Sequence, residues 1–362
     1  MKHDRWIFLT VEFALAAAAA LMMLRMSAGR EPARKISVIV SQPDEDRWEL
    51  FLHGVKQAAS ACGLDAEIVT TDTITGAEQE EELMENAVAD GAEALIVQPA
   101  PGGETNRMLT RIAEKIPVVE TGGGSAVPPG AAADRPETAS SGAEAAADRP
   151  ETASSGAEAA EGGDDGAGGA GAVPLVGPDY EAMGHALGRM LIDDRGSRLK
   201  GVRIGIAGGL SDTDSIAAAE RGLEETLRES GCRIVWTLRN LPDGDEAGEE
   251  LTAQTPTDVV IALDTQSVER AGDCAAEGAL WDASVYGIGM STKSIYHLDR
   301  GHVRGLVVPG CFEMGYRAVI EAAAGIRKGR NAMRSRTTSC RIVRRADLFT
   351  EENEQLLFSL DQ

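Results

Sequence analysis

The sequence predicts an α/β fold built on parallel β-strands, with helices covering both faces of the sheet. Two observations lead to this prediction. Short runs of β-branched and other apolar residues alternate with segments whose apolar residues recur at helical spacing. The alternation repeats many times, and repeated βαβ units form parallel sheets through right-handed crossovers. The chain has 362 residues, about twice the length expected of one domain, so one unit with two lobes and two separate domains are both open.

The first half of the chain contains four predicted strands separated by three helices. The strands are the short apolar runs KISVIVS, DAEIVTTD, EALIVQPA and PVVET. Trp48, Phe51 and Val55 recur at helical spacing and predict the first helix. The second helix is EEELMENAVADG, which ends at a glycine, and the third is NRMLTRIAEKI.

The second half repeats the alternation from residue 180 onward. The predicted helices are YEAMGHALGRMLIDD, SIAAAERGLEETLRESG, SVERAGDCAAEG and MGYRAVIEAAAGIRKG. The predicted strands are VRIGIAGG, CRIVWTL, DVVIALD, SVYGIGM and RGLVVPG. Both halves therefore predict the same kind of sheet.

Residues 125–172 interrupt the pattern with a segment of Ala, Gly, Glu, Asp, Ser and Pro. The 14-residue unit ADRPETASSGAEAA occurs at residues 133–146 and again, unchanged, at 147–160. The segment has no aromatic residue and carries nine acidic residues against two arginines, so it cannot bury a core. We predict a disordered acidic insertion that serves as a linker, and a partner-binding role stays open.

The amino terminus, residues 1–34, is predicted to be a membrane anchor. Residues 6–24, WIFLTVEFALAAAAALMML, are apolar except for one threonine and one glutamate, and this run is long enough to cross a bilayer as a helix. No small-residue cleavage site follows, so a retained anchor is favoured over a removed signal peptide. Because Arg25, Arg30, Arg34 and Lys35 follow the span, the positive-inside rule alone would place the large domain in the cytoplasm.

Charge and motifs exclude several classes of function. A net charge of -23 repels phosphate backbones, so nucleic acid is not an expected partner. The five cysteines show no CxxC spacing and the five histidines are not at metal-ligand spacing, so we expect neither a disulfide framework nor a metal site. There is no GxSxG, P-loop or HExxH motif, and the glycine-containing segment IAGGLSD after a predicted strand lacks the GxGxxG pattern of dinucleotide sites. We therefore expect no catalytic residues, no cofactor and no enzyme.

The order of these segments resembles the type I periplasmic substrate-binding proteins, the ribose- and galactose-binding class of solute receptors. The resemblance runs from about residue 35 to 357 and is carried by KISVIVS, GVKQAASACGLDAEIV, GAEALIVQPA, VPLVGPDYEAMGHALGRML, DVVIALD and LVVPGCFEMGYRAV. It implies two Rossmann-like lobes with parallel sheets, joined by a three-strand hinge and closing on a ligand. The first lobe would comprise residues 35–124 and about 310–336, and the second residues 173–309 and about 337–362. Because this class is usually exported, we expect a single-pass cell-membrane protein with its large domain on the extracytoplasmic side.

The resemblance also implies which residues contact a ligand, and several depart from the sugar-binding pattern. The aromatic pair after the first strand is here Arg47 and Trp48, and the strand-end asparagine is Asp264. The helix arginine that reaches sugar hydroxyls matches Ala219 or, with a shifted register, Arg221. Other hydroxyl-binding positions hold Gly122, Gly123, Gly289 and Pro309. An ionic ligand met by Asp46, Arg47 and Asp264 would fit these changes, and so would a loss of small-molecule binding.

The candidate ligand-binding residues are therefore Asp46, Arg47, Trp48, Gln98, Arg221 and Asp264. Three of them have structural alternatives. Trp48 begins a helical series that faces a core, Gln98 can be a surface or hinge residue, and Asp264 can cap the helix that begins near Ser267.

Two functions are consistent with these features of the sequence. One is a membrane-tethered extracytoplasmic receptor that captures a small polar solute, sugar-like or ionic, for an ABC permease or a sensor kinase. The other is the same fold acting as a protein-interaction module without transport, which the altered ligand positions and the acidic insertion favour.

Overall fold

The computed structural model describes residues 34–41, 46–71, 77–99, 103–122, 173–209, 213–242, 244, 246–350 and 353. The predicted membrane span at residues 6–24 and the predicted acidic insertion lie outside these ranges. Within them, no helix has both the length and the apolar character that a bilayer crossing requires.

The first sheet has six strands, which lie in the order β2, β1, β3, β4, β5, β11. Every pair of neighbours in this sheet is parallel. Residues of β3 and β4 are all buried, as expected of strands covered on both faces. The strands are β1 (Arg34–Ser41), β2 (Leu64–Thr71), β3 (Ala94–Val97), β4 (Val118–Thr121), β5 (Leu175–Pro178) and β11 (Arg336–Thr338).

The second sheet repeats this order with the strands β7, β6, β8, β9, β10, β12. Four of its five pairs are parallel, and β12 runs antiparallel to β10. The strands are β6 (Arg203–Gly209), β7 (Arg233–Leu241), β8 (Val259–Ala262), β9 (Ser284–Ile288), β10 (Val303–Pro309) and β12 (Cys340–Arg344).

Nine α-helices lie in the described ranges and cover these sheets. They are α1 (Asp46–Cys62), α2 (Ala77–Ala89), α3 (Gly103–Ala113), α4 (Tyr180–Arg195), α5 (Thr213–Leu227), α6 (Glu246–Thr252), α7 (Thr265–Ala276), α8 (Thr292–Arg300) and α9 (Cys311–Lys328). Helices α1 and α9 pack on one face of the first sheet, and α4 and α5 pack on one face of the second. Each lobe thus has apolar clusters on both faces of its sheet.

The chain crosses between the lobes at three places, each one residue long. It leaves β5 in the first lobe and enters α4 of the second through Asp179. It returns from β10 to α9 through Gly310, and it passes from β11 to β12 through Ser339. The boundary drawn from the sequence at residue 173 differs from this, because β5 hydrogen-bonds to β4 and belongs to the first sheet.

Two α/β sheets with mostly parallel strands confirm the predicted fold class. The strands β5, β11 and β12 and the helices α6 and α8 are additional to the segments singled out from the sequence. These five elements have nine residues or fewer, which is too short for an apolar pattern to repeat.

Candidate functional site

The carboxyl ends of the strands in both sheets lie at the boundary between the lobes. This follows from the three crossings, because β5, β10 and β11 each end one residue before the chain changes lobe. Parallel strands share a direction, so the ends of β1, β3, β4, β6, β8 and β9 lie at the same edges. Open α/β sheets bind ligands at such edges, and this boundary is the candidate site.

In the first lobe, Gln98 and Gly122 come together at this edge. Gln98 follows β3, and its backbone N–H donates to the Ile39 carbonyl at 3.0 Å. Gly122 follows β4 with φ of 108°, and a β-carbon on it would lie 3.5 Å from Cγ of Gln98. The half-buried Gln98 side chain therefore lies beside the neighbouring strand end, and its contact with a ligand stays a prediction.

Two buried threonines occupy the ends of β4 and β11 in the same lobe. The hydroxyls of Thr121 and Thr338 have no hydrogen-bond partner in the described part of the chain. A buried hydroxyl without a partner is costly, by about 1–3 kcal/mol. The sequence patterns did not single them out, and only their position as the last residue of a strand could have drawn attention to them.

In the second lobe, Asp264 follows β8 and its carboxylate is already used by the fold. One oxygen accepts from the backbone N–H of Ser267 at 2.9 Å. The other accepts from the Ser267 hydroxyl at 2.7 Å and from the backbone N–H of Gly209 at 2.7 Å. Asp264 thus caps α7 and ties the end of β6 to the end of β8. This geometry agrees with the structural alternative, in which Asp264 caps the helix. A contact with a ligand remains a prediction.

Trp48 lies in the core of the first lobe. Its side chain is 1% exposed and meets the Phe51 ring edge-on with the ring centroids 5.0 Å apart. This burial agrees with the structural alternative, in which Trp48 faces a core. It leaves almost no surface for a ligand.

Leu50, two residues further along α1, packs differently. It is buried in the apolar cluster of the second lobe, together with Met290 after β9 and Cys311 at the start of α9. Helix α1 of the first lobe therefore makes an apolar contact across the lobe boundary.

Arg221 lies away from the strand ends. It is the ninth residue of α5, roughly 12 Å along the helix axis from the first at 1.5 Å per residue. Its guanidinium donates to the carboxylate of Glu181 on α4 at 2.5 Å, on the exposed side of the helix pair. The structure does not bring Arg221 together with Gln98 or Asp264.

Asp46 and Arg47 are the first two residues of α1, five and six positions after the last residue of β1, Ser41. Their side chains lie outside the described part of the structure, so their ligand roles remain predictions. The position of the helix start places both residues on the lobe-boundary side of the first sheet.

Glu313 joins two of the three crossings. Its carboxylate accepts from the backbone N–H of Ser339 at 3.0 Å and from the Ser339 hydroxyl at 2.8 Å, while Arg317 donates to its other oxygen at 2.7 Å. Gly310 also donates its N–H to the Ser339 carbonyl at 2.9 Å. Burial opposes ionisation of Glu313, but the hydrogen bonds from Ser339 and the charge of Arg317 outweigh it, so the pKa of this carboxyl lies below its usual value.

Comparison with known proteins agrees with this architecture. The family model of the periplasmic binding protein domain matches residues 36–330. A search of curated proteins finds no significant match.

Solved structures of solute-binding proteins share the fold. The glucose-galactose binding protein GanP from Geobacillus stearothermophilus is 20% identical, with a TM-score of 0.65, and the match covers 88% of this chain and 100% of that one. A carbohydrate transporter solute binding protein from Agrobacterium radiobacter, in complex with D-arabinose, is 18% identical over 91% of this chain and 100% of that one, with a TM-score of 0.65. The XylFII-LytSN complex matches at 16% identity over 88% of this chain and 100% of that one, with a TM-score of 0.61.

Proposed function

The chain belongs to the periplasmic binding protein family, in its type I fold, and on that premise we propose that it is a receptor for a small polar solute. The solute is held between the lobes and captured by hinge closure. The observation that carries this proposal is the set of three one-residue crossings at Asp179, Gly310 and Ser339. Such short connections allow the two lobes to rotate as units about a hinge while the strands of each sheet stay paired.

The proposed ligand is sugar-like or ionic. Structural relatives have been solved in complex with D-arabinose and with α-D-tagatopyranose, which supports a polyhydroxylated solute. The buried hydroxyls of Thr121 and Thr338 would gain hydrogen-bond partners from such a ligand. Arg47 in place of an aromatic residue supports a charged ligand instead. The proposed contacts are Asp46, Arg47, Gln98 and Asp264; Trp48 and Arg221 are retained from the family resemblance, although their geometry gives the proposal no support.

The receptor is further proposed to be tethered to the cell membrane through residues 6–24, with its lobes on the extracytoplasmic side. The apolar run of that segment supports the tether. The partner would be an ABC permease or a sensor kinase, and the XylFII relative, solved in complex with LytSN, supports a protein partner. Because members of this family bind substrates without converting them, the proposal includes no enzymatic activity.

The second candidate function is a protein-interaction module on the same fold. Two features of the lobe boundary favour it. Asp264 already accepts three hydrogen bonds, and Leu50 fills an apolar cluster across the boundary. Groups of the boundary that already have partners within the chain offer fewer contacts to a small ligand.

A thermal-shift screen of the chain from residue 34 onward distinguishes the two candidates. Sugars, polyols, amino acids and small anions would be tested, because a ligand at 100 times its Kd adds about 2.7 kcal/mol to the free energy of unfolding. A receptor predicts a shift with one ligand class that is lost in Arg47→Ala and in Asp264→Ala.

The matched control is Asp258→Asn, which alters a carboxylate immediately before β8 rather than after it. Its ligand-induced shift should equal that of the unmodified chain. The absence of a shift across the whole panel would contradict the receptor and favour the interaction module.

A further inference from the structure

Helices α4 and α5 bring one histidine and two glutamates together on the surface of the second lobe. Glu181 and His185 lie four residues apart on α4, and Glu225 lies on α5. One ligand atom from each residue lies within 4.8 Å of the other two. Residues four apart on a helix share a face, and Glu-x-x-x-His is a sequence signal that the spacing between histidines alone does not reveal.

The tautomer of neutral His185 follows from its contact with Thr226. The Thr226 hydroxyl donates to the Gly222 carbonyl at 2.9 Å, so it can only accept from Nδ1 of His185, which lies 2.8 Å away. In neutral His185 the hydrogen therefore sits on Nδ1, and Nε2 carries a lone pair. Histidines that bind metals are oriented in this way, with one nitrogen donating to a neighbour and the other facing the ion.

That lone pair points toward a carboxylate rather than toward a donor. Nε2 of His185 lies 3.8 Å from a carboxylate oxygen of Glu225, which is too long for a hydrogen bond. Ligand atoms on a tetrahedron with bonds of about 2.0–2.1 Å lie roughly 3.3 Å apart. The separation is thus close to that of two ligands on one cation.

The two helices form a rigid support for this trio. A β-carbon on Gly222 would lie 2.1 Å from the Glu181 carbonyl oxygen, and one on Gly188 would lie 2.6 Å from Thr226. The helix backbones are therefore in direct contact at Gly222, and the Thr226 side chain packs on the α4 backbone at Gly188. Arg221 holds one oxygen of Glu181 and so orients the carboxylate, whose other oxygen can serve as a ligand.

We propose that Glu181, His185 and Glu225 form a surface binding site for a divalent transition-metal ion, of which Zn²⁺ is the probe. A histidine with two carboxylates suits Zn²⁺ and its neighbours better than Mg²⁺ or Ca²⁺, which prefer oxygen ligands alone. Three protein ligands leave one position of the tetrahedron for water. The ion would bridge α4 and α5 and would lie outside the cleft proposed for the solute.

The test is a calorimetric titration of the full chain with Zn²⁺ in excess Mg²⁺, which occupies weak carboxylate sites elsewhere. One ion per chain should bind, and His185→Gln and Glu225→Gln should each abolish that binding. Glu224→Gln, which removes an adjacent exposed carboxylate of the same helix, should leave the affinity unchanged. Far-ultraviolet circular dichroism and the solute response check that each variant is folded.

Thr226 provides a second test, because it acts on the metal only through His185. Thr226→Val keeps the shape but loses the acceptor, and it should weaken Zn²⁺ binding roughly tenfold or more, whereas Thr226→Ser should restore it. No stoichiometric binding, or binding that survives both His185→Gln and Glu225→Gln, would overturn the proposal and leave His185 and Glu225 as an ion pair.

Discussion

The two lobes are built around the same helix junction. In the first lobe α1 and α9 touch at Gly54 and Gly315, where an added β-carbon would lie 2.1 and 2.0 Å from carbonyl oxygens of the facing helix. In the second lobe α4 and α5 touch at Gly222 and Gly184, with the same distances of 2.1 and 2.0 Å. Each glycine thus has a counterpart at the equivalent position of the other lobe.

The side chains that flank this junction differ completely. The position of Phe312 in the first lobe corresponds to Glu181 in the second, because each carbonyl faces the equivalent glycine. Phe312 meets His53 edge-on with ring centroids 5.6 Å apart, whereas Glu181 pairs with Arg221.

The difference continues along α9. A groove of about 500 Å³ follows its outer face and is lined by Phe312, Glu313, Tyr316, Arg317, Ile320, Glu321 and Arg336. The helix junction is therefore a property of the backbone, while the chemistry of each outer face is set independently of it.

The largest predicted effect is on the shared junction. Gly54→Ala and Gly222→Ala should each lower the free energy of unfolding by about 2–3 kcal/mol, because the new methyl group forces two backbones apart. Urea unfolding followed by circular dichroism measures this. Gly248→Ala is the matched control: its nearest neighbour would be Cys274 Sγ at 3.6 Å, so it should stabilise α6 by up to about 1 kcal/mol. If Gly222→Ala is as stable as Gly248→Ala, the close approach of α4 and α5 contributes nothing to the free energy of unfolding.

Each lobe also contains a buried glutamate paired with an arginine, and these two pairs test whether the lobes are equally stable. Glu321 is 5% exposed and accepts from Arg336 at 2.8 Å, and in the second lobe the buried Glu220 accepts from Arg239 at 2.9 Å. Arg336→Met and Arg239→Met should each cost about 2 kcal/mol, because each leaves a buried carboxylate without its charged donor. The measurement is again urea unfolding.

Double variants complete that comparison. Adding Glu321→Leu to Arg336→Met should recover most of the loss, since no buried charge then remains unpaired. A double variant as unstable as the sum of its parts would show that packing, rather than the ion pair, determines the cost.

The crossings provide a pH-dependent comparison. Asp179 caps α4 by accepting from the Ala182 N–H at 2.8 Å, whereas α9 has no side-chain cap and Glu313 bonds to Ser339 instead. Because the pKa of folded Glu313 lies below that of an unfolded glutamate, about 4.3, its stabilising contribution is present above that value. It is lost as the pH falls through the lower, folded pKa.

Unfolding free energies measured from pH 6 to pH 3 test this sign. Glu313→Gln should flatten the acid-side decline relative to the unmodified chain. If Glu313→Gln retains the full decline of the unfolding free energy at acid pH, other carboxylates cause that decline.

The smallest predicted effect concerns Arg221. Because its pair with Glu181 is exposed on both sides, Arg221→Met should change the free energy of unfolding by less than about 1 kcal/mol, and added salt should reduce that change. Loss of solute binding in this variant would instead support the role that the family resemblance implies for Arg221.

The sequence predicted the fold well where buried strands and amphipathic helices produce clear periodicity. β3 and β8 are short apolar runs whose residues are buried throughout, and both were predicted. β11, with the sequence RTT, lies at the edge of its sheet. An edge strand with polar side chains has no periodic signal, so it could not be found.

The candidate site was less predictable because its side chains are positioned by contacts distant in sequence. Asp264 was correctly placed at a strand end, but its bond to Gly209 spans 55 positions. Arg221 was chosen from its position in the family resemblance. That position does not show that Glu181, on the neighbouring helix, lies beside it. A local pattern indicates which loops share an edge, but not which groups within them are already paired.

The strands β4 and β5 are neighbours in the first sheet, and this pairing bears on how far the segment that connects them can change in length. These neighbouring strands are held together by the bond from the Glu120 N–H to the Pro174 carbonyl at 2.9 Å. The second lobe connects the corresponding strands β9 and β10 through the nine-residue helix α8, whereas the first uses residues 123–172. For the acidic linker that the composition of this segment predicts, loop-closure entropy grows only with the logarithm of length, so losing one 14-residue copy would change the free energy of folding by roughly 0.3 kcal/mol. The free energy of folding is therefore expected to depend little on the number of repeat copies in this segment.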